Sequence, residues 1–286
     1  MSLNGTHSHG TPHPSLILDP DLLIALTGAR ACGKSVILKL LAMLYGPEFL
    51  ALESSGLCDD HIRRGTRIGQ ELATFTGVRS GGGFYPDDLI IRTTLQSIEE
   101  EKAKLTPPPS RHAIRAIGLA GGFRTESQRL CFGKAGYRTR SIHICSTLRQ
   151  VFEGVVRRKE IEGQTRDDVS VRSVVASWHN YGTLVRPGME SAPADEVCTI
   201  HKSHSLLRKM IVIVRNIDRW TGTQGLINLV VKDHPVRLEM ARLEKEWANK
   251  PVTLTQEMEE VIADDESNQH ILRLSRPLTE QRLVTA

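Results

Sequence analysis

The most chemically informative segment of the chain is residues 28–35, GARACGKS, which has the form G-x-x-x-x-G-K-S. An apolar run (22–27, LLIALT) precedes it and a helical pattern (34–44) follows it. Glycines at both ends of such a loop let backbone N–H groups wrap an anion. The start of the helix adds partial positive charge. Lys34 is spaced to reach the outer phosphates of a nucleoside triphosphate, and the Ser35 hydroxyl to ligate a Mg²⁺ carried with them. Gly28, Ala29, Arg30, Ala31, Cys32, Gly33, Lys34, Ser35 and Val36 are therefore expected to form an ATP site, with Ser35 as the metal ligand.

A second signal is arginine. From Arg111 to Arg172 there are eleven arginines against two lysines, Lys134 and Lys159. The planar guanidinium is suited to bidentate phosphate contact. Most of these residues are expected to be solvated surface charges.

These groups need a scaffold. Apolar runs at 22–27, 49–52, 114–119, 141–145 and 197–200 read as five strands. Helical patterns fall at 34–44, 60–76, 87–104, 148–159, 171–184 and 206–216. Strands that alternate with helices build β-α-β units and a parallel sheet. The prolines at 107–109 stop the third helix. Beyond 217, Val236, Met240, Leu243 and Trp247 recur at helical spacing. A weaker helix runs through Met258 and Val261, and periodicity fades after the acidic run at 264–266. The division expected is a disordered tail at 1–15, a main domain at 16–217 and a helical extension at 218–286.

Composition sets the limits. Of the 286 residues 40% are apolar and 24% charged, an ordinary globular balance. The net charge of +4 and only 5% aromatics argue against a nucleic-acid partner. No apolar run is long enough for a membrane span. The five cysteines, Cys32, Cys58, Cys131, Cys145 and Cys198, lie at long irregular spacings and read as reduced thiols. The first residues, MSLNGTHSHGTPHP, have no signal-peptide core. Together these point to a cytoplasmic protein. His7, His9 and His13 sit in the expected tail.

The order of motifs resembles the adenylate kinase family of nucleoside monophosphate kinases across about residues 20–217. After the second strand, Glu53-Ser54-Ser55-Gly56 is similar to the family's S-[ST]-G. Residues 60–69 (DHIRRGTRIG) are similar to its R-x-x-x-x-G-[ST]-x-[LI]-G. Residues 83–89 (GFYPDDL) are similar to its base-contacting turn. After the third strand, Arg124 and Gln128 keep the R-x-x-x-Q spacing. Residues 166–168 (RDD), followed by Arg172, are similar to its R-x-D-D and arginine helix.

The resemblance implies a three-layer α/β/α P-loop fold with a five-stranded parallel sheet. It implies an acceptor-binding insertion at about 54–105 and a short lid at about 157–168. It implies transfer of phosphate from MgATP to AMP. Ser55, Gly56, Arg63 or Arg64, Tyr85, Gly121, Arg124 and Gln128 would hold the acceptor. Lys34, Arg124, Arg157, Arg166 and Arg172 would stabilise the transferring group. The chain departs from the family pattern at two acids: Ala120 stands at a strand end and Leu57 after the serine motif where the family has Asp. Two alternatives stay open: a weakly catalytic nucleotide-binding paralogue acting as sensor or docking module, and a P-loop kinase of another small acceptor.

Overall fold

The structure, a computed structural model, describes residues 22–46, 49–75, 85–104, 116–121, 126–162, 170–181, 196–221, 235–248 and 251–274. Five strands form: β1 (Leu22–Gly28), β2 (Phe49–Glu53), β3 (Ala116–Ala120), β4 (Arg138–Cys145) and β5 (Glu196–His201). Helices α1 (Lys34–Tyr45), α2 (Ser54–Arg64), α3 (Arg67–Ala73), α4 (Asp87–Lys104) and α5 (Glu126–Lys134) come from the first half. The second half supplies α6 (Leu148–Glu162), α7 (Val171–Tyr181), α8 (Leu206–Thr221), α9 (Pro235–Ala248) and α10 (Gln256–Leu274).

The sheet order is β2-β3-β1-β4-β5 and every pair is parallel. This is the parallel α/β architecture expected. β1 lies at the centre, and its apolar run is buried on both faces, as a fully covered parallel strand requires. Leu22, Ile24 and Leu26 meet Ile37, Leu41 and Leu44 of α1 and Met210, Ile213 and Ile217 of α8. Leu23 and Ala25 on the other face meet Ile91 and Ile98 of α4 and Phe132 of α5. Burial of each such side chain contributes about 1.5–3 kcal/mol. The connections after β1 and β4 lead to opposite sides of the sheet. The crevice beyond their carboxyl ends is thus a switch point, where open α/β sheets bind ligands.

Several expectations are corrected. The single helix read at 60–76 is two helices, and the first begins at Ser54. Gly65 takes a left-handed cap conformation at φ 64°, and the Thr66 side chain caps α3 by accepting from the Gly69 N–H. Helix α5 carries too weak an apolar stripe to show in the sequence periodicity. β4 starts at Arg138, three residues early, since Thr139 alternates inward. α10 runs to Leu274, past the acidic run where periodicity fades. Asp264 and Glu266 continue the helix as exposed residues, with Asp265 half-buried between them. The tail at 1–15 and the prolines at 107–109 lie outside the described residues.

The C-terminal helices pack on the sheet layers. Val236 and Met240 of α9 are buried with α1 and α8. Met258 and Ile262 of α10 join Val151, Phe152 and Val155 of α6 and Val174 and Trp178 of α7. No described helix is long and apolar enough to cross a membrane.

Candidate phosphate-binding site

The loop between β1 and α1 stands at the carboxyl edge of the sheet. Gly28 has φ 135°. A Cβ there would lie 2.7 Å from the Ile144 carbonyl oxygen and 2.9 Å from the Cys32 sulfur, so the position admits only glycine. Ala31 turns left-handed at φ 50°, and Gly33 at φ 100° leads into the helix. No side chain caps α1, and its first turn holds no acid. The leading N–H groups and the positive helix end therefore suit an anion that no described cap or first-turn residue supplies.

Lys34 lies across this loop. Its Nζ donates to the carbonyls of Gly28 at 3.0 Å and Ala29 at 2.7 Å, and stands 3.8 Å from Cys32 Sγ. Ser35 is exposed in the first turn and Val36 is half-buried. Arg30 turns away from the loop: its N–H donates to Ser177 Oγ at 3.1 Å and its guanidinium to Ser173 Oγ at 2.9 Å, both on α7. Ala29 and Cys32 are buried. The nine loop residues are thus one continuous structural unit, with Arg30 bracing it against α7.

Arg157 is half-buried on α6, and its Nε has no hydrogen-bond partner among the described residues. Arg172 is exposed in the first turn of α7, next to the Ser173 that holds Arg30. Arg124 and Arg166 lie outside the described residues, as do Asp167 and Asp168.

The acceptor candidates divide. Ser55 and Gly56 fall in the first turn of α2, directly after β2. Arg63 is largely exposed and bonds Asp60 at 2.5 Å. Arg64 is engaged by Asp60 at 2.7 Å and Glu100 at 2.9 Å, and lies against the buried His61 ring. Those bonds hold the Asp60 carboxyl below its ordinary range, the Arg63 hydrogen bond foremost. Tyr85 packs at the edge of a small cluster of Cys58, Ile68, Leu72 and Leu89. Gly121 follows β3 at φ 86°, and its N–H donates to the Leu26 carbonyl at 3.1 Å. Gln128 lies in the first turn of α5.

Whether the site fits Mg²⁺ turns on its oxygen donors. Ala120 is 5% exposed and packs in the α1-side core, so the β3 tip offers no acid. Its register partner on β2 is Glu53, whose side chain is exposed. Strand alternation puts Leu52 on the α4 side and Glu53 on the α1 side, the face of Ala120. Ser54 Oγ ties the two strand ends by donating to the Ala120 carbonyl at 3.2 Å. Among the described residues no three His, Cys, Asp or Glu gather as a metal cage. One hydroxyl and one carboxylate suit a Mg²⁺ that keeps phosphate and water ligands. Glu53 is an acid at this strand end that no motif singles out. Its signal is positional: the last residue of a strand flanking β3.

Sequence reasoning also missed His143 and Lys202. The Thr27 hydroxyl lies 2.9 Å from His143 Nδ1, across the β1–β4 pair. Lys202, just past β5, donates to the Ala31 carbonyl at 2.8 Å and the Gln150 carbonyl at 2.5 Å. No motif flags either residue, because strand pairing alone brings them to the loop.

No protein-family model matches the chain, and no curated protein matches it. Three solved structures are similar to it at low identity. A gluconokinase from Sinorhizobium meliloti 1021 has TM-score 0.41 and 17% identity, covering 76% of this chain and 99% of that one. A candidate kinase from Chloroflexus aurantiacus has TM-score 0.43 and 12% identity, covering 72% and 100%. A structure of the PezAT chromosomal toxin–antitoxin system of Streptococcus pneumoniae has TM-score 0.38 and 12% identity, covering 81% and 86%. None of the three assigns a residue role in this chain.

Proposed function

We propose that this protein is an ATP-dependent phosphotransferase that acts on a nucleoside monophosphate, with AMP preferred. One observation carries the reading. An uncapped helix start opens directly from a strained glycine-bounded loop at the carboxyl end of the central strand, with Lys34 lying across that loop. The motif order from Ser55 to Arg172 supports the acceptor class. Residues 54–105 form the acceptor-binding insertion and 157–168 a short lid on this reading. The five free thiols support a cytosolic setting.

Phosphoryl transfer is mostly alignment and charge stabilisation. The loop N–H groups and Lys34 bind the triphosphate, and Lys34 exchanges its two loop carbonyls for phosphate oxygens. Ser35, with Glu53 at the neighbouring strand end and water, would hold a Mg²⁺, which when bound would neutralise charge at the phosphates. Arg124 binds the acceptor phosphate. Arg157, Arg166 and Arg172 bring positive charge over the transferring group, and Gln128 pairs with the adenine edge.

A coupled ADP-release assay tests this, with MgATP and a panel of AMP, GMP, CMP, UMP and gluconate. AMP is expected to give the highest kcat/KM, because each lost base hydrogen bond costs a wrong nucleotide roughly 1–3 kcal/mol. Turnover of gluconate alone moves the acceptor class to a hydroxyl. Nucleotide binding without turnover of any acceptor leaves the binding-module alternative standing.

A further inference from the structure

We propose that Lys202 is a positioning residue for the phosphate loop: by holding the Ala31 carbonyl it aims the Cys32 N–H at the bound triphosphate, and by holding Gln150 it sets α6 against the loop. The inference rests on the reading of residues 28–35 as a triphosphate site.

The geometry is specific. Lys202 Nζ donates to Ala31 O at 2.8 Å and to Gln150 O at 2.5 Å. Its own backbone N–H is fixed by the Cys145 carbonyl at 2.7 Å. In a trans peptide the C=O of Ala31 and the N–H of Cys32 point in opposite directions. Anchoring that oxygen on the Lys202 side turns the N–H to the other side of the loop. The anchored residue is also the strained one, Ala31 at φ 50°. A left-handed alanine persists only when its surroundings hold it.

The α6 side is equally constrained. A Cβ at Gly154 would lie 2.5 Å from the Ala31 oxygen and 2.5 Å from Lys202 Nζ. Only glycine lets α6 approach this closely. Arg157 lies three residues further along the same helix, so one ammonium fixes the relation between a candidate arginine and the loop.

Burial also pushes the Lys202 ammonium down to about 8. Among the described residues, the titratable and charged groups facing it are the Cys32 thiol on the loop, Lys209 on α8, and Glu153 and Arg157 on α6. A triphosphate bound on the loop favours the protonated form. The complex therefore holds a proton that the free protein gives up above pH 8, and affinity must fall as pH rises past that point.

The test is calorimetric titration of ATP into the full chain, from pH 7.5 to 9.5, for the wild type, Lys202→Met, Lys202→Arg and Cys32→Ala. Lys202→Met is expected to raise the Kd on the order of tenfold at pH 7.5. It should raise the nucleotide KM while leaving the acceptor KM unchanged. Wild-type and Cys32→Ala affinity should weaken above pH 8, with flat profiles in Lys202→Met and Lys202→Arg. A Lys202→Met protein that binds ATP as the wild type does overturns the inference. If that variant does not fold, a flat wild-type profile overturns it instead. A wild type that binds no ATP at all refutes the nucleotide site itself, a separate failure.

Discussion

Thr27 and His143 face each other across β1 and β4, hydroxyl to Nδ1 at 2.9 Å, one residue before the phosphate loop begins. His143 is 5% exposed, and its Nε2 has no hydrogen-bond partner among the described residues. Burial, with the Lys34 charge adding to it, pushes the imidazole down to about 4. The ring is therefore neutral at physiological pH and adds no repulsion beneath Lys34.

That shift makes stability depend on pH. Between 6.5 and about 4 the unfolded chain takes up a proton that folded His143 refuses. The unfolded state binds more protons there, so stability rises with pH across this window and is complete above it. Acidification from pH 7 to 4 should cost up to roughly 3 kcal/mol through this residue. Urea unfolding at stepped pH reads it directly. His143→Gln should flatten the slope between pH 4 and 6.5, and an unchanged slope would show that other groups carry the acid sensitivity.

How much of this could be read in advance depended on locality. The strand–loop–helix at 22–45 is encoded in contiguous residues, because apolar run, glycines and helix period agree. The break between α2 and α3 was also written locally, in Gly65-Thr66, yet the apolar period running through it hid the turn. Glu53, His143 and Lys202 are different. Each matters only through a partner distant in sequence: Ala120 and Thr27 on neighbouring strands, and the loop at Ala31. A parallel sheet joins segments tens of residues apart, and no spacing rule in the chain reports that pairing. Arg64 shows the converse. Its motif position reads as a phosphate clamp, while the fold engages it with Asp60 and Glu100.

Two substitutions separate the donor and acceptor halves of the proposed site. Lys34→Ala removes the cation across the loop and is expected to weaken ATP binding and abolish transfer. Arg124→Ala is expected to leave ATP affinity within twofold (about 0.4 kcal/mol) while raising the acceptor KM at least tenfold (about 1.4 kcal/mol). Calorimetry with ATP and steady-state kinetics with AMP check the pair. Unchanged acceptor kinetics in Arg124→Ala would remove that residue from the acceptor site.

The C-terminal helices test as part of the fold. Met240 of α9 is 2% exposed among α1 and α8 residues, while Leu238, two positions away, is 75% exposed. Glu244 caps α8, accepting from the Leu206 N–H at 2.5 Å. Met240→Ala should cost about 2–5 kcal/mol of unfolding free energy. Leu238→Ala should stay within about 0.5 kcal/mol. Chemical denaturation of both variants decides. Equal, small effects would mean that α9 contributes little to the core.

The last expectation concerns the acid. Ala120 and Glu53 are register partners, one buried against α1 and one exposed at the strand end. An aspartate at 120 would place a carboxylate in the apolar layer that packs against α1, and an unpaired buried charge is expensive. Ala120→Asp is therefore expected to lower the melting temperature and leave the Mg²⁺ requirement unimproved. Glu53→Gln keeps the size and removes the charge at the surface. It should leave the melting temperature near the wild type and raise the Mg²⁺ needed for half-maximal rate. A carboxylate at the strand end constrains where the ion sits, and a misplacement of ~1 Å can cost on the order of 10²-fold in rate. Initial rates across a Mg²⁺ titration, with melting curves for each protein, resolve the two positions. A Glu53→Gln enzyme saturating at wild-type Mg²⁺ would exclude that carboxylate as a ligand, and an Ala120→Asp enzyme that is faster at low Mg²⁺ would return the acid to β3.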